Sequence, residues 1–395
     1  MRRGLAGAIL AGTVALALPC AAQELRVPQK YQLLYDGLDR QVSAFQARLP
    51  PATPQRDLRR AALLASMRCE AGPDLQSATR WGAAMLELDA LRRVGTQVVV
   101  LEACYPLLTP AFQDPRPLLE HLANLANQVR LRDMAILVDH RILPATNPSV
   151  QAARHYQRMT RPRFVREHAE EAKALAIALQ PDYLTLVSDP QAPAAGLRLT
   201  ARQWRAHLDA LTRRFHAELG DFVPALGAGS GVWGEPAFVD AFAAVPGLAY
   251  IDLRFYPVIA GQESTLERVL AWPDRIRAID PAKRVVLSQV WLSKANSKEP
   301  QDGRTDANVL AREAFSFWAA LDAKFLRALA HGARVKDIEL VGVSRPRHLF
   351  AYLDFFDPTT FRASARLLDE LATQRAATAM QQGGLTETGR AFGGL

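Results

Sequence analysis

The sequence predicts an α/β protein folded as one (β/α)8, or TIM, barrel. From about residue 60 to about residue 370, short runs rich in β-branched residues alternate with longer helical patterns. This alternation is typical of β–α–β units and a parallel sheet. Eight such runs are present, and eight units favour a closed barrel over an open sheet. The predicted strands are Leu63–Cys69, Gln97–Cys104, Met134–Asp139, Tyr183–Ser188, Phe222–Gly227, Ala249–Phe255, Arg284–Val290 and Asp337–Val343.

The segments between these runs have the spacing of amphipathic helices. In residues 163–179 one apolar stripe is formed by Val165, Ala169, Ala172, Ala176 and Leu179. Pro181 ends this helix just before a strand. A second helix is predicted after Thr200, with a stripe formed by Trp204, Leu208 and Leu211. The first strand has an alternative, because Arg59–Met67 also fits a helix.

Residues 1–22 have the pattern of a secretory signal peptide. Two arginines precede the apolar stretch Gly4–Leu18, and small residues precede Gln23. The stretch is too short to span a bilayer, since a transmembrane helix takes roughly 20 apolar residues. Pro19 before Cys20 argues against lipid attachment at that cysteine. We therefore expect Sec-type export, to the periplasm or the medium, without stable membrane insertion.

The rest of the chain divides into three parts by composition. Residues 23–58 contain a short helical pattern and a proline-rich linker. Residues 59–380 make up the predicted barrel, and residues 381–395 form a glycine-rich tail that we expect to be flexible.

The composition is that of an ordinary globular protein, with 49% hydrophobic and 22% charged residues. The formal net charge is +8, but the arginines are scattered over helical patterns, which is typical of solvated helix faces and not of a nucleic-acid-binding surface. The sequence has no glycine-rich phosphate loop, no paired histidines of a metal site and no Gly-x-Ser-x-Gly motif. We therefore expect no cofactor and no metal. The sequence does not indicate the oligomeric state.

Two cysteines, Cys69 and Cys104, lie beyond the predicted cleavage site. In an oxidising compartment such a pair is a candidate disulfide. Each cysteine also lies in an apolar run where a small buried thiol would fit. Both interpretations remain open at this point.

The functional candidates are the polar residues that end the predicted strands. In a barrel of this kind, the loops at the carboxyl ends of the strands converge around one depression, the mouth of the barrel. The acidic candidates are Glu70, Glu102, Asp139 and Asp189. The other candidates are His140, Trp233, Arg254, Tyr256, Gln289 and Trp291.

Four segments, in their order along the chain, resemble strands of clan A glycoside hydrolases of the cellulase and galactanase type. Ala135–His140 resembles their third strand, and Leu186–Pro190 resembles the fourth-strand Asn-Glu-Pro motif that carries the acid/base glutamate. Ile251–Pro257 is similar to their sixth strand, and Val285–Trp291 to the seventh strand, which carries the nucleophile glutamate. The resemblance covers roughly residues 60–357. It implies a barrel that acts on a polysaccharide or oligosaccharide.

The expected catalytic residues of that family are replaced. Asp189 matches the acid/base glutamate, Arg254 matches a histidine, and Gln289 matches the nucleophile. Tyr256 keeps the family's tyrosine. Retaining hydrolysis needs two carboxyl groups about 5–5.5 Å apart, and an amide side chain stays neutral and cannot attack as an anion.

Three hypotheses follow. In the first, which is our principal one, Asp189 is the general acid of a hydrolase and Glu70, Glu102 or Asp139 activates water or attacks. In the second, the mouth binds a glycan without cleaving it. Its aromatic platforms would then be Trp233, Phe255, Tyr256 and Trp291, and its hydrogen-bonding groups His140, Asp189, Arg254 and Gln289. In the third, the barrel carries unrelated chemistry, because a fold does not fix a function.

Several of these residues also have a purely structural interpretation. Glu70 or Glu102 could pair with an arginine at a neighbouring strand end, the candidates being Arg68, Arg141, Arg254 and Arg345. His140 could be a buried hydrogen-bonding group. Asp252 lies inside the sixth predicted strand, and we expect it to make a structural hydrogen bond.

Overall fold

The computed structural model describes residues 26–52, 57–144, 152–191, 199–231, 235–257, 265–296, 299 and 307–395. The predicted signal peptide and Trp233 lie outside the described residues. Eight parallel strands close into a barrel in sequence order, with the last strand hydrogen-bonded to the first, which confirms the predicted fold. The strands are β1 (Arg59–Leu63), β2 (Val98–Tyr105), β3 (Ala135–Ile142), β4 (Tyr183–Thr185), β5 (Ala225–Gly231), β6 (Tyr250–Phe255), β7 (Arg284–Val290) and β8 (Leu340–Val343).

Helices surround the barrel. They are α1 (Gln29–Arg48), α2 (Ala78–Arg93), α3 (Arg116–Arg130), α4 (Ala152–Gln157), α5 (Arg161–Leu179), α6 (Ala201–Leu219), α7 (Pro236–Ala243), α8 (Arg268–Ile279), α9 (Ala307–Arg312), α10 (Ala319–Val335), α11 (Arg347–Phe350), α12 (Pro358–Phe361), α13 (Ala365–Gln382) and α14 (Glu387–Gly393). The predicted helices correspond to α5 and α6. Thr200 begins α6 with a capping box, in which its side chain and that of Gln203 each accept the other residue's backbone N–H. Within the described residues, no helix is long and apolar enough to cross a membrane.

The barrel interior is filled by side chains from alternate strand positions, since successive side chains of a strand point to opposite faces. This inner layer comprises Ala61, Leu63, Val98, Val100, Leu137, Tyr183, Tyr250, Val286 and Leu340. Because Leu137 of β3 points inward, Asp139 and Arg141 also point inward, whereas His140 points to the surrounding helices. The other strand face packs on the helices to form the main hydrophobic core.

Three strands begin three or more residues from their predicted starts, namely β1, β5 and β8, the last at Leu340 and not at Asp337. β1 is Arg59–Leu63, followed by the 3-10 segments Ala65–Met67 and Cys69–Gln76, so both the predicted strand at Leu63–Cys69 and its helical alternative are wrong. β5 begins later than predicted, because a 3-10 turn at Gly220–Phe222 follows α6. Its interior needs glycine: a Cβ on Gly227 would lie 2.2 Å from the ring of Tyr250.

The predicted N-terminal extension forms a long helix instead of a short one. α1 has 20 residues, and its apolar side buries Leu38, Val42 and Phe45. Phe45 lies against Gly332 of α10, where an added Cβ would be 3.1 Å from its ring. Lys324 of α10 also donates a hydrogen bond of 2.6 Å to Asp39.

The prediction of a flexible C-terminal tail is wrong. Residues 387–393 form α14, and Phe392 is fully buried. Thr388 donates to the carbonyl of Ala319 at 3.1 Å. A Cβ on Gly389 would lie 2.1 Å from the carbonyl oxygen of Leu349, so this glycine permits close backbone packing. The glycine-rich composition of this segment therefore reflects close docking and not disorder.

Replacing Phe392 by alanine is expected to lower the free energy of unfolding by about 3–5 kcal/mol, because the substitution leaves a cavity under α14. Phe361→Ala is the matched control, since the Phe361 side chain is 62% exposed, and we expect a change within about 0.5 kcal/mol. Urea unfolding of both variants measures the difference. Equal stabilities would show that α14 is not part of the folded core.

Candidate functional site

Gln289 lies at the centre of the mouth, where its amide makes four hydrogen bonds. Its Oε1 accepts from Arg254 at 2.9 Å and from the hydroxyl of Tyr256 at 2.7 Å. Its Nε2 donates to Glu102 at 3.1 Å and to Asp139 at 3.0 Å. The amide therefore joins two carboxyl groups, on β2 and β3, to an arginine and a tyrosine at the end of β6.

A β-bulge in β7 explains why Gln289 points into the barrel. The facing segment of β6 advances two residues, from Asp252 to Arg254, while β7 advances three, from Val286 to Gln289. A bulge adds one residue to a strand and turns the following side chain to the other face. Regular alternation from Val286 would have pointed Ser288 into the barrel and Gln289 away from it.

Arginines neutralise two of the predicted catalytic carboxylates. Arg141 donates to Glu70 at 2.6 Å and to Glu102 at 2.9 Å. The Nε of Arg68 lies 3.4 Å from Glu70 and 3.7 Å from Glu102, and Arg254 lies 4.0 Å from Glu102. The pairing of these glutamates with arginines, which was the structural alternative in the sequence, is confirmed.

The surroundings of Glu70 and Glu102 disfavour catalytic roles. Burial raises the pKa of Glu70, but the charges of Arg141 and Arg68 outweigh it and hold this pKa well below its usual range. A carboxylate with such a low pKa is a weak general base at neutral pH. The side chain of Glu102 is 0% exposed, so it has no surface for a substrate.

Asp139 and Asp189 differ in their access to the mouth. Asp139 is 0% exposed, and burial raises its pKa, while Arg254 and Arg141 oppose that effect. Asp189 is half-buried and follows the end of β4. It makes no hydrogen bond or ion pair with any residue that the structure describes. Among the four acidic candidates, only Asp189 combines partial exposure with the absence of an arginine partner.

The loop after β1 is held in place by two contacts. Cys69 forms a disulfide with Cys104 of β2, which settles the alternative left open by the sequence. Glu87 of α2 accepts hydrogen bonds from the backbone N–H groups of Ala65 and Ser66, both at 2.9 Å. These contacts position Arg68 and Glu70 at the mouth. The disulfide also removes Cys69 as a metal ligand, although its sulfur lies near two carboxylates.

Five residues predicted to contact a sugar are buried and offer it no free surface, namely Arg254 and Gln289, described above, and His140, Phe255 and Trp291. His140 is 0% exposed because it faces the helices, where it contacts Glu171 at 3.2 Å. Phe255 is also 0% exposed, and Trp291 is 1% exposed and stacked on His348 at a centroid distance of 5.3 Å. A ring with no free face cannot stack on a sugar. These side chains support the walls of the mouth.

Of the predicted aromatic platforms that the structure describes, Tyr256 is the one that remains partly exposed. Arg254 is 7% exposed and holds Gln289. The mouth therefore offers Tyr256, Asp189, Arg68 and Glu70 to a ligand, and Gln289 organises the groups beneath them.

Asp252 makes the structural hydrogen bonds expected of it. It accepts from the hydroxyl of Thr185 at 2.8 Å and from the backbone N–H of Ser288 at 3.1 Å. Burial and the neighbouring Asp139 raise the pKa of Asp252 to about 6. This aspartate lies inside the barrel and is not a surface catalytic group.

Several buried polar contacts could not be found from the sequence. Lys294 is 0% exposed and pairs with Asp322 of α10, and Tyr352 donates to the same carboxylate at 2.9 Å. These partners are far apart in the sequence and belong to no short motif. Only the tertiary structure brings them together.

The Asp252→Asn substitution is expected to remove one source of pH dependence. The folded state holds the Asp252 proton up to about pH 6, while the unfolded chain releases it near pH 4. The free energy of unfolding therefore falls by about 3 kcal/mol as the pH rises through this window, and no further above it. The free energy of unfolding of the variant, taken relative to that of the parent protein, should therefore rise by about 3 kcal/mol from pH 4 to pH 7. Asp133→Asn, at a side chain 89% exposed, is the control and should follow the parent profile. A constant difference for Asp252→Asn would contradict this account.

Solved structures with the same barrel include several glycoside hydrolases. The exo-β-1,4-mannosidase Op5Man5 from Opitutaceae bacterium strain TAV5 matches with a TM-score of 0.56 and 13% identity over 88% of this chain, which spans 61% of that protein's length. A GH5_18 variant from Bifidobacterium longum subsp. longum ATCC 55813, in complex with Manβ1-4GlcNAc, matches with a TM-score of 0.56 and 17% identity, over 86% of this chain and 77% of that one. PbGH5A, a glycoside hydrolase family 5 enzyme from Prevotella bryantii B14, matches with a TM-score of 0.52 and 11% identity, over 85% of this chain and 97% of that one.

No protein-family model matches the sequence, and no curated protein matches it. At identities this low, the structural likeness shows a shared fold and not a shared activity. The resemblance to clan A glycoside hydrolases is therefore confirmed at the level of the (β/α)8 barrel.

Proposed function

We propose that this protein is an exported barrel that binds a polysaccharide or oligosaccharide at its mouth and lacks the paired-carboxylate hydrolysis of its structural relatives. The observation that carries this proposal is the position of Gln289. It is the residue that matches the nucleophile of clan A, and its amide is held by Arg254, Tyr256, Glu102 and Asp139. A neutral amide in that network cannot form a glycosyl intermediate.

The remaining carboxylates do not replace the missing nucleophile. Glu102 and Asp139 have no exposed surface, so neither can approach an anomeric carbon without unfolding the network around Gln289. Glu70 is partly exposed, but two arginines stabilise its ionised form. Because Glu70 is already paired with arginines, we assign it a structural role at the mouth and not a role in proton transfer.

Two kinds of observation support a carbohydrate ligand. The solved structures that share this fold include proteins described as a mannosidase and as a complex with Manβ1-4GlcNAc. The mouth also combines a partly exposed ring, Tyr256, with charged groups that can bond hydroxyls, such as Asp189 and Arg68. Sugar sites commonly combine an apolar ring face with directed polar groups.

Export is supported by the N-terminal sequence pattern and by the disulfide between Cys69 and Cys104. Disulfides persist in oxidising compartments such as the periplasm and the extracellular medium. A location in one of these compartments would expose the mouth to polysaccharides outside the cytoplasm.

A second candidate is a hydrolase in which Asp189 is the general acid. It is favoured by the partial exposure of Asp189 and by its lack of an ion pair within the described residues. Glu70 would then have to act as the base, since its side chain is 32% exposed. The arginines around Glu70 oppose this role, which is why the binding function is preferred.

The test is to incubate purified protein with a glycan panel and to measure binding and reducing-end release together. We expect binding without release above the level of a protein-free control. Tyr256→Ala should weaken binding about tenfold, because ring contacts of this kind contribute on the order of 1 kcal/mol and the substitution also removes the hydrogen bond to Gln289. Tyr256→Phe is the matched control, since it keeps the ring and should retain most of the affinity.

Release of reducing ends that disappears in Asp189→Asn would contradict the binding proposal and support the second candidate. The absence of binding to every glycan would contradict both and favour unrelated chemistry in the same barrel.

A further inference from the structure

Arg345 presents a cationic group at the mouth that the described residues leave largely unpaired. It follows the end of β8, the strand that pairs with β1. Its side chain is 15% exposed, and its buried Nε has no hydrogen-bond partner among the residues that the structure describes. Its only ion contact in the described part of the chain is with Glu313, at 3.6 Å, which is too long for a hydrogen bond.

Arg68, from the loop after β1, lies on the same side of the mouth and adds a second such group. Its side chain is 33% exposed, and its Nε contacts Glu70 at 3.4 Å and Glu102 at 3.7 Å. Among the residues that the structure describes, its guanidinium makes no hydrogen bond. A guanidinium has five N–H donors, so both arginines keep donors for a ligand.

The neighbours of Arg345 include both like and opposite charges, so they stabilise its charged form only in part. Burial lowers its pKa, and the like charges of Arg68 and Arg347 act in the same direction, while Glu313 and Tyr256 oppose them. Because β8 pairs with β1, the loops that carry Arg345 and Arg68 are neighbours at the mouth. Glu313 is itself shared, because its Oε1 accepts the backbone N–H of Lys294 at 3.3 Å.

Two acidic groups of the mouth, Glu70 and Glu102, are engaged by other residues. Glu70 and Glu102 each accept a hydrogen bond from Arg141, and Glu102 also accepts one from Gln289. Neither of them makes a hydrogen bond to Arg345 within the described residues. A partly buried guanidinium without an acceptor is unfavourable, and an anionic ligand would relieve this.

We propose that Arg345 and Arg68 form a subsite for an anionic group on the bound glycan, so that the ligand is an acidic polysaccharide or oligosaccharide. This inference rests on the proposed carbohydrate-binding function. The anionic group is a carboxylate, as in a uronic acid, or a sulfate ester, because the planar guanidinium fork binds either through paired N–H···O bonds. Tyr256, which also lies at the mouth, would contact a sugar ring of the same ligand.

The test compares matched pairs of ligands by isothermal titration calorimetry. One pair is a uronic-acid oligosaccharide and its carboxyl-reduced, neutral form, and the other is a sulfated oligosaccharide and its desulfated form. We expect the acidic member of one pair to bind about tenfold or more tightly than its neutral form, with the preference falling as salt is raised. The pair that shows this preference identifies the anion.

Arg345→Gln should reduce the affinity for the acidic ligand about tenfold and leave the affinity for its neutral form within about twofold. Arg366→Gln is the matched control, because the Arg366 side chain is 89% exposed on α13, and it should change neither affinity. Arg345→Lys keeps the charge but loses the fork, and it should restore only part of the affinity. If Arg345→Gln does not fold, the Arg345→Lys variant and the salt dependence of acidic and neutral ligand binding by the parent protein test the subsite instead.

Equal binding of the acidic and neutral forms in both pairs would overturn the anionic subsite and leave the proposed carbohydrate function intact. The same would follow if the arginine variants weakened both forms alike. The absence of binding by all four ligands and by the wider glycan panel would overturn the subsite together with the proposed function.

Discussion

The amide of Gln289 holds together a set of charged groups that would otherwise repel one another at the mouth of the barrel. Glu102 and Asp139 are both buried, and each accepts a hydrogen bond from the same Nε2. Two carboxyl groups this close in a region of low dielectric cannot both remain ionised without strong donors around them. The amide supplies one donor to each, while its oxygen accepts from Arg254 and Tyr256. The side chain of Gln289 is thus part of the structural support of the mouth.

The fold prepares this arrangement in several steps. Parallel strands in a closed barrel bring their carboxyl ends to one opening, and alternation along β3 directs Asp139 and Arg141 inward. The extra residue in β7 then turns Gln289 into the same space. The disulfide fixes the loop that carries Arg68 and Glu70. Each step is local, but only the closed barrel makes the groups neighbours.

The sequence predicted the eight-stranded barrel because each strand is a compact apolar run followed by an amphipathic helix. β7 was predicted with its exact bounds, since Arg284–Val290 lies between the helix of α8 and a polar loop. The start of β1 was missed, because Arg59 and Arg60 are charged residues inside a short strand. The C-terminal segment was misjudged, because glycine content alone does not separate a flexible tail from closely packed backbone.

The site was predicted less completely than the fold. The pairing of Glu70 and Glu102 with arginines followed from neighbouring strand ends, and the structure confirms it. The burial of His140 and Trp291 could not be read from the sequence. The burial of His140 depends on which face of β3 its side chain occupies. The burial of Trp291 depends on packing against His348, which lies beyond the following strand. The resemblance placed Gln289 at the mouth, but a bulge such as the one in β7 leaves no short sequence signal, so the cause of its inward direction came only from the structure.

The free energy of unfolding of Gln289→Glu, measured at pH 5 and pH 8, tests the central role of this amide most directly. The substitution keeps the shape of the side chain but replaces the donor to Glu102 and Asp139 by a third carboxyl group. We expect a loss of about 3 kcal/mol or more at pH 8, because a buried charge is left uncompensated, and a smaller loss at pH 5, where a shared proton restores one donor. A variant as stable as the parent protein at pH 8 would contradict the account.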